Sequence, residues 1–151
     1  MCKTDAPARP AGFTLIELVV VLAIIAALAA VVAPEMVRHA GDARTEAART
    51  QIELFALALE AYRLDNGIYP SSDDGLAALR EQPVRGRAPG WRGPYLRRLV
   101  PADPWGRPYI YQAPGGVNPG SYDLYTLGRD ATTGGEGEDS DVTSWGGPVR
   151  I

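Results

Sequence analysis

The sequence predicts an α+β protein: a long N-terminal helix, membrane-embedded over its first half, packed against a small antiparallel β-sheet head. Three observations predict it. Phe13 to Ala33 is an apolar run of twenty-one residues broken only by Thr14 and Glu17. Helical composition continues beyond that run to Leu64. Two β-favouring segments, RPYIYQA at 107–113 and SYDLYTL at 121–127, flank the turn-prone PGGVNPG, the pattern of an antiparallel hairpin.

At about 1.5 Å per residue the apolar run makes roughly 31 Å of helix, the thickness of a hydrocarbon core. Lys3 and Arg9 precede it and Glu35 and Arg38 follow it, so the short basic side stays in the cytoplasm and the bulk of the chain lies outside. A cleavable secretory signal is the rival reading, against which Glu17 and the length of the run both count. Pro34 removes one backbone donor and bends or opens the helix rather than ending it. From Val37 to Leu64 the chain is rich in Ala, Leu, Glu and Arg, with Ile52, Phe55, Leu59 and Tyr62 along one face as core. Arg44, Glu46, Arg49, Glu53, Glu60 and Arg63 form a solvated face. Asn66-Gly67 supplies the stop, since Gly reaches the left-handed C-cap conformation cheaply.

A short second helix is expected to begin at Ser72 or Asp73, whose side chains can cap it. Residues 83–106 carry many Pro and Gly residues and read as an ordered loop. The hairpin follows, then the acidic loop DATTGGEGEDSD, then a third short strand near Val142 to Trp145.

The 151 residues allow one compact domain and an appendage. A net charge of -3 without a basic, aromatic-laced stripe gives nucleic acid nothing to bind. Cys2 is the only cysteine, so no intramolecular disulfide can stiffen the head. His39 has no Cys or second His for a transition-metal site and reads as an exposed helix residue. Trp91, Trp105 and Trp145 read as packing anchors beneath loops. Glu53 and Glu60 lie two helical turns apart without a pocket signal, and read as solvated surface rather than a catalytic pair. No nucleophile motif, phosphate-binding loop or histidine-centred acid-base group is present, so no catalytic residue is expected.

Glu17 is the anomaly. An ionised carboxylate in the apolar layer costs on the order of 3 kcal/mol, so it requires a partner or a route to the interface. Snorkelling to the nearby boundary is the plain explanation. The sharper one is proteolysis between Gly12 and Phe13, which gives Phe13 a free ammonium one helical turn from Glu17. Between helices packed side by side, that amine meets a neighbour's carboxylate and sets subunits at a common depth.

The stretch GFTLIELVVVLAIIAALAAVVAPEM resembles the N-terminal signature of type IV pilins and type II secretion pseudopilins. The resemblance implies a pilin-like fold, cleavage after Gly12 by a prepilin peptidase, methylation of Phe13, assembly through Glu17 and a helix kink at Pro34. It divides the chain into a cleaved leader at 1–12, a transmembrane and filament-core helix at 13–36, and a periplasmic head at 37–151. Downstream, YRLDNGIYPSSDDGLAAL, PYLRRLVPADPWGRPYIY and SYDLYTLGRD followed by GGEGEDSDVTSWGG resemble the major pseudopilin of type II secretion systems over nearly all of the mature chain. DPWG and the acidic loop favour the major over a minor subunit. The implied function is a subunit that polymerises into a periplasmic pseudopilus driving protein secretion across the outer membrane, and not an enzyme. Its expected partners are other copies of itself, the prepilin peptidase, minor pseudopilins and inner-membrane assembly components; its expected place is the inner membrane, single-pass, with the C-terminal domain in the periplasm. A type IV pilin or minor pilin-like adhesion subunit is the alternative, and a secreted hydrolase the third reading.

Asp130, Glu136, Glu138, Asp139 and Asp141 put five carboxylates into twelve residues among Gly134, Gly135 and Gly137. Hard oxygen ligands on a flexible loop suit calcium, and a solvated acidic turn is the plain alternative. The spacing is not that of an EF-hand. The family resemblance implies one calcium per subunit, held by Asp130 and Asp141 with the carbonyl of Leu127. Some relatives carry a second aspartate immediately before the last. Ser140 stands there in this chain, and Asp139 one residue earlier, so the third side-chain ligand stays open; Glu138 is a candidate carbonyl donor.

Overall fold

A computed structural model describes residues 12–83 and 88–149, the side chains of 32–38 excepted. The chain divides into two compact units, Met1–Arg38 and His39–Ile151. Helix α1, Leu15–Asn66, contributes to both.

In the first unit Thr14 caps α1. Its hydroxyl accepts the Glu17 amide at 3.2 Å, and its carbonyl accepts the Leu18 amide at 3.2 Å. Leu15 to Val31 are exposed all round the helix. Among the described residues no helix is long and apolar enough to cross a membrane. The span expected at 13–36 takes in residues 32–36, whose side chains lie outside those described. The helix assignment runs through Pro34; a bend there lies outside the described residues as well.

In the second unit the predicted stripe is the core. Ile52, Phe55, Leu59 and Tyr62 are buried and pack with Leu76, Leu79, Tyr109, Tyr122, Leu124 and Val142. Phe55 meets Tyr109 edge to face at 5.2 Å, and Tyr69 meets Tyr122 at 4.9 Å, geometries that aromatic quadrupoles favour. At the helix end, the amide of Gly67 (φ 77°) donates to the Arg63 carbonyl, the expected stop.

The expected second helix is a single 3-10 turn, Gly75–Leu79, entered at Asp74 without a side-chain cap. Ser71 shapes its approach, its hydroxyl accepting the Asp74 amide and donating to the Asp74 carboxylate, while the Ser72 hydroxyl bonds the backbone of Ala113 instead. The turn stops because the Leu79 carbonyl is taken by the amides of Tyr95 and Leu96 from the following loop. That loop is ordered as expected in its described part, with the Trp91 indole donating to the Ala78 carbonyl and the Tyr95 hydroxyl to Asp65.

The sheet is antiparallel, in the order β1 (Ile110–Gln112), β2 (Asp123–Thr126), β3 (Val142–Thr143). Tyr111 pairs with Leu124, and Thr126 with Val142. The strands are shorter than 107–113 and 121–127 because their outer backbone groups are committed elsewhere. The Arg107 carbonyl accepts the Asp103 amide while the Arg107 amide donates to the Asp103 carboxylate, Ala113 donates to the Ser72 hydroxyl, and Ser121 bonds within the connecting turn. Trp91 and Trp105 pack against the core, and Trp145 lies edge-on to Tyr125 at 5.8 Å. His39 is exposed.

Candidate functional site

Two places carry the sequence-predicted site residues. In the N-terminal one, Gly12, Phe13 and Glu17 are all exposed, Phe13 at 84%. A Cβ built on Gly12 meets nothing within 4 Å, and its φ is not in the left-handed region. Among the described residues nothing demands glycine at position 12. Glu17 stands in the first turn of α1, where its charge faces the positive end of the helix dipole. Thr14 and Glu17 have the Ser/Thr-x-x-Glu spacing of a capping box, and the first of its two bonds is made. That spacing is legible in the sequence TLIE.

The second place is the acidic loop between β2 and β3. It folds back on itself so tightly that side chains are excluded at two points. A Cβ on Gly128 (φ 63°) would lie 2.7 Å from the Ser140 carbonyl oxygen, and one on Gly135 (φ 83°) 2.4 Å from that of Asp139. Only glycine fits both the conformation and the space.

The predicted ligands divide into two groups. Glu138 and Asp139 are engaged by arginines. Arg44 on α1 donates to Glu138 Oε1 at 2.8 Å, and Arg129 donates to Glu138 Oε2 at 3.2 Å. Arg129 also grips both Asp139 oxygens at 2.9 Å. The Arg44 hydrogen bond is the main reason the Glu138 carboxyl is held below its usual range. The bond to Asp139 raises the Arg129 guanidinium further.

Asp130 and Asp141 form the other group. Asp130 accepts from the Thr132 hydroxyl at 2.6 Å and its amide at 3.0 Å, which hold its carboxyl below the usual range. Asp141 accepts the Gly134 amide with Oδ2 at 2.9 Å, while its Oδ1 is buried and without a hydrogen-bond partner. Leu127 is half-buried at the end of β2. Among the described residues no group of three or more His, Cys, Asp or Glu is placed to hold a metal ion. A hard cation here would thus rely on two aspartates and on backbone carbonyls. The orphaned Asp141 oxygen fits such a site, because a buried carboxylate oxygen without a donor is costly.

Beneath the loop lies a network that sequence reasoning missed. Asp103 of the DPWG turn is 4% exposed and accepts from the amides of Trp105 and Arg107 and from the Thr126 hydroxyl. Arg107 then donates its guanidinium to the carbonyls of Gly128 and Arg129. The Asp-Pro-x-Gly turn chemistry was legible in DPWG. That its aspartate anchors an arginine under the acidic loop was not, because the two segments meet only through the sheet.

The family model for Type II secretion system (T2SS), protein G matches residues 35–145, and that for the prokaryotic N-terminal methylation motif matches residues 8–33. The chain is 44% identical over 139 residues to type II secretion system core protein G of Pseudomonas aeruginosa, covering 91% of this chain and 96% of that protein. The corresponding Vibrio cholerae protein is 41% identical over 138 residues, covering 91% and 92%. The crystal structure of the major pseudopilin from the type 2 secretion system of enterohaemorrhagic Escherichia coli superposes with a TM-score of 0.56 at 31% identity, covering 68% of this chain and 87% of that one. With the methylation motif at its N-terminus and the protein G match over its head, the chain belongs to the type II secretion system protein G family.

Proposed function

We propose that the chain is a major pseudopilin, made as a precursor with a leader at 1–12 and polymerised into a periplasmic pseudopilus that helps drive protein secretion across the outer membrane. The observation that carries the reading is the exposed apolar surface of Leu15 to Val31. A helix apolar on every side must be covered by something other than its own chain. Lipid covers it before assembly, and neighbouring copies cover it in the filament. Residues 13–36 make the single inner-membrane span, and 37–151 the periplasmic head.

A prepilin peptidase cuts after Gly12. The absence of any fold-level need for glycine there supports a requirement set by the enzyme that reads it. The new amine of Phe13 then becomes the counter-charge of Glu17 on an adjacent copy, and minor pseudopilins and inner-membrane assembly components complete the machine. The chain is a repeating structural part and turns over no substrate. One calcium, taken up by Asp130, Asp141 and backbone carbonyls such as that of Leu127, compensates the carboxylates that the arginines leave unpaired and so pins the acidic loop. Deletion of the gene in its native host, with a secretion assay and re-expression of the chain, tests the role. Secretion should stop and be restored; unchanged secretion in the deletion strain refutes the assignment.

A further inference from the structure

The acidic loop has a positive charge of its own. The Arg129 guanidinium meets Asp139 through two parallel bonds of 2.9 Å, Nε to Oδ1 and Nη2 to Oδ2, and reaches Glu138 through Nη1. Its backbone amide donates to the Glu138 carbonyl at 2.8 Å. One residue thus ties the start of the loop to residues 138 and 139 by side chain and main chain together. Arg107 holds the carbonyls of Gly128 and Arg129 from below. Asp130 and Asp141 bond instead to Thr132 and Gly134, with one Asp141 oxygen left over.

We propose that Arg129 is the resident counter-ion of the acidic loop, holding Asp139 and Glu138 as ion-pair partners and leaving Asp130 and Asp141 as the side chains offered to a divalent cation. This rests on the calcium reading for its second half only. Parallel guanidinium–carboxylate bonds fix geometry as well as charge. To ligate a metal, Asp139 would have to break a guanidinium bond or use its remaining lone pairs, and either way would bring a dication against the guanidinium. The pair therefore closes the loop whether or not metal is present, and the side-chain ligand left open by the sequence is not Asp139. Arg129 acts as a positioning residue.

The test uses the full chain in detergent. Melting of the head is followed by circular dichroism in EGTA and in calcium, and calcium affinity is measured by calorimetry, for wild type, Arg129→Gln, Arg129→Lys and Asp139→Asn. In EGTA the glutamine and asparagine variants should melt about 3 °C below wild type, the order expected of a geometrically well-formed surface ion pair. Lysine should not restore the loss, since a single ammonium cannot grip both oxygens. Asp139→Asn should bind calcium within about twofold of wild type, and Arg129→Gln should gain more melting temperature from calcium than wild type does. Equal melting of wild type and Arg129→Gln in EGTA overturns the proposal, as does a tenfold or greater loss of calcium affinity in Asp139→Asn, a difference of about 1.4 kcal/mol. Should the glutamine variant fail to fold, the lysine variant decides the same comparison. A wild type that takes up no calcium removes the calcium reading alone, and the EGTA comparison still upholds or overturns Arg129.

Discussion

Glu138 lies directly over Gly41. A Cβ at position 41 would sit 2.6 Å from the Glu138 Cγ and 2.9 Å from its Cδ, so the glutamate crosses α1 where the helix has no side chain, and reaches Arg44 one turn on. The acidic loop is thereby seated on the helix by a glycine. Gly41→Ala should gain helix propensity of about 0.5–1 kcal/mol yet displace Glu138. The expected result is a sign change: the substitution lowers the melting temperature of the wild-type chain and raises it in a Glu138→Ala background. A two-by-two set of melting curves checks this, and additive effects would sever the two residues.

Asp103 is the buried centre of the loop's footing. Asp103→Ala leaves the amides of Trp105 and Arg107 and the Thr126 hydroxyl without their acceptor. Each buried unsatisfied group costs about 1–3 kcal/mol, so a loss of about 3 kcal/mol or more is expected in denaturant unfolding. A loss under about 1 kcal/mol would show that water replaces the carboxylate.

Asp123 sets part of the acid limit of the head. Burial alone would raise its carboxyl, but the amides of Val117 and Asn118 and the Asn118 side chain outweigh burial and hold it below the usual range. A carboxyl lowered in the folded state contributes stability above its unfolded value, and that stability is lost as pH falls through the folded one. Wild type should therefore lose stability below about pH 4, and Asp123→Asn should be less stable at neutral pH with a shallower acid slope. Parallel pH profiles for the two proteins would contradict this.

Glu17 and Gly12 separate charge from fold. Gly12→Ala should leave the precursor uncut on a gel while the head melts as wild type, because among the described residues a Cβ there meets nothing within 4 Å. Glu17→Gln should insert and be processed normally but yield few filaments. Its N-terminal amide bond to Thr14 is made by the backbone and survives the change, so a normal filament yield would leave the carboxylate as a helix-end charge and nothing more.

Calcium removal should lower the melting temperature of the head, since a ligand bound only by the folded state adds about 2.7 kcal/mol at a hundredfold excess over its Kd. Asp141→Ala should abolish that shift, because its Oδ1 is buried without a hydrogen-bond partner. A shift retained in the variant would move the metal elsewhere.

The local and periodic features were legible in the sequence. The Ile52, Phe55, Leu59 and Tyr62 stripe, the Gly67 stop, an antiparallel hairpin between the 107–113 and 121–127 segments and a third strand near Val142 all follow from side-chain spacing and backbone freedom within a few residues, and all are present. Strand ends and the second helix were misjudged because their backbone groups are claimed from afar: the Leu79 carbonyl by Tyr95 and Leu96, the Ala113 amide by Ser72.

What the sequence determined by itself was a long apolar N-terminal helix, an α+β head and the list of acids in one loop. What only the tertiary structure decided was which acids face which charges. Arg44 reaches Glu138 across 94 positions of chain, and Asp103 reaches Thr126 across 23. Composition fixes how many carboxylates must be compensated, but ion pairing depends on distances of a few ångströms, and those exist only once the sheet has brought separate segments together.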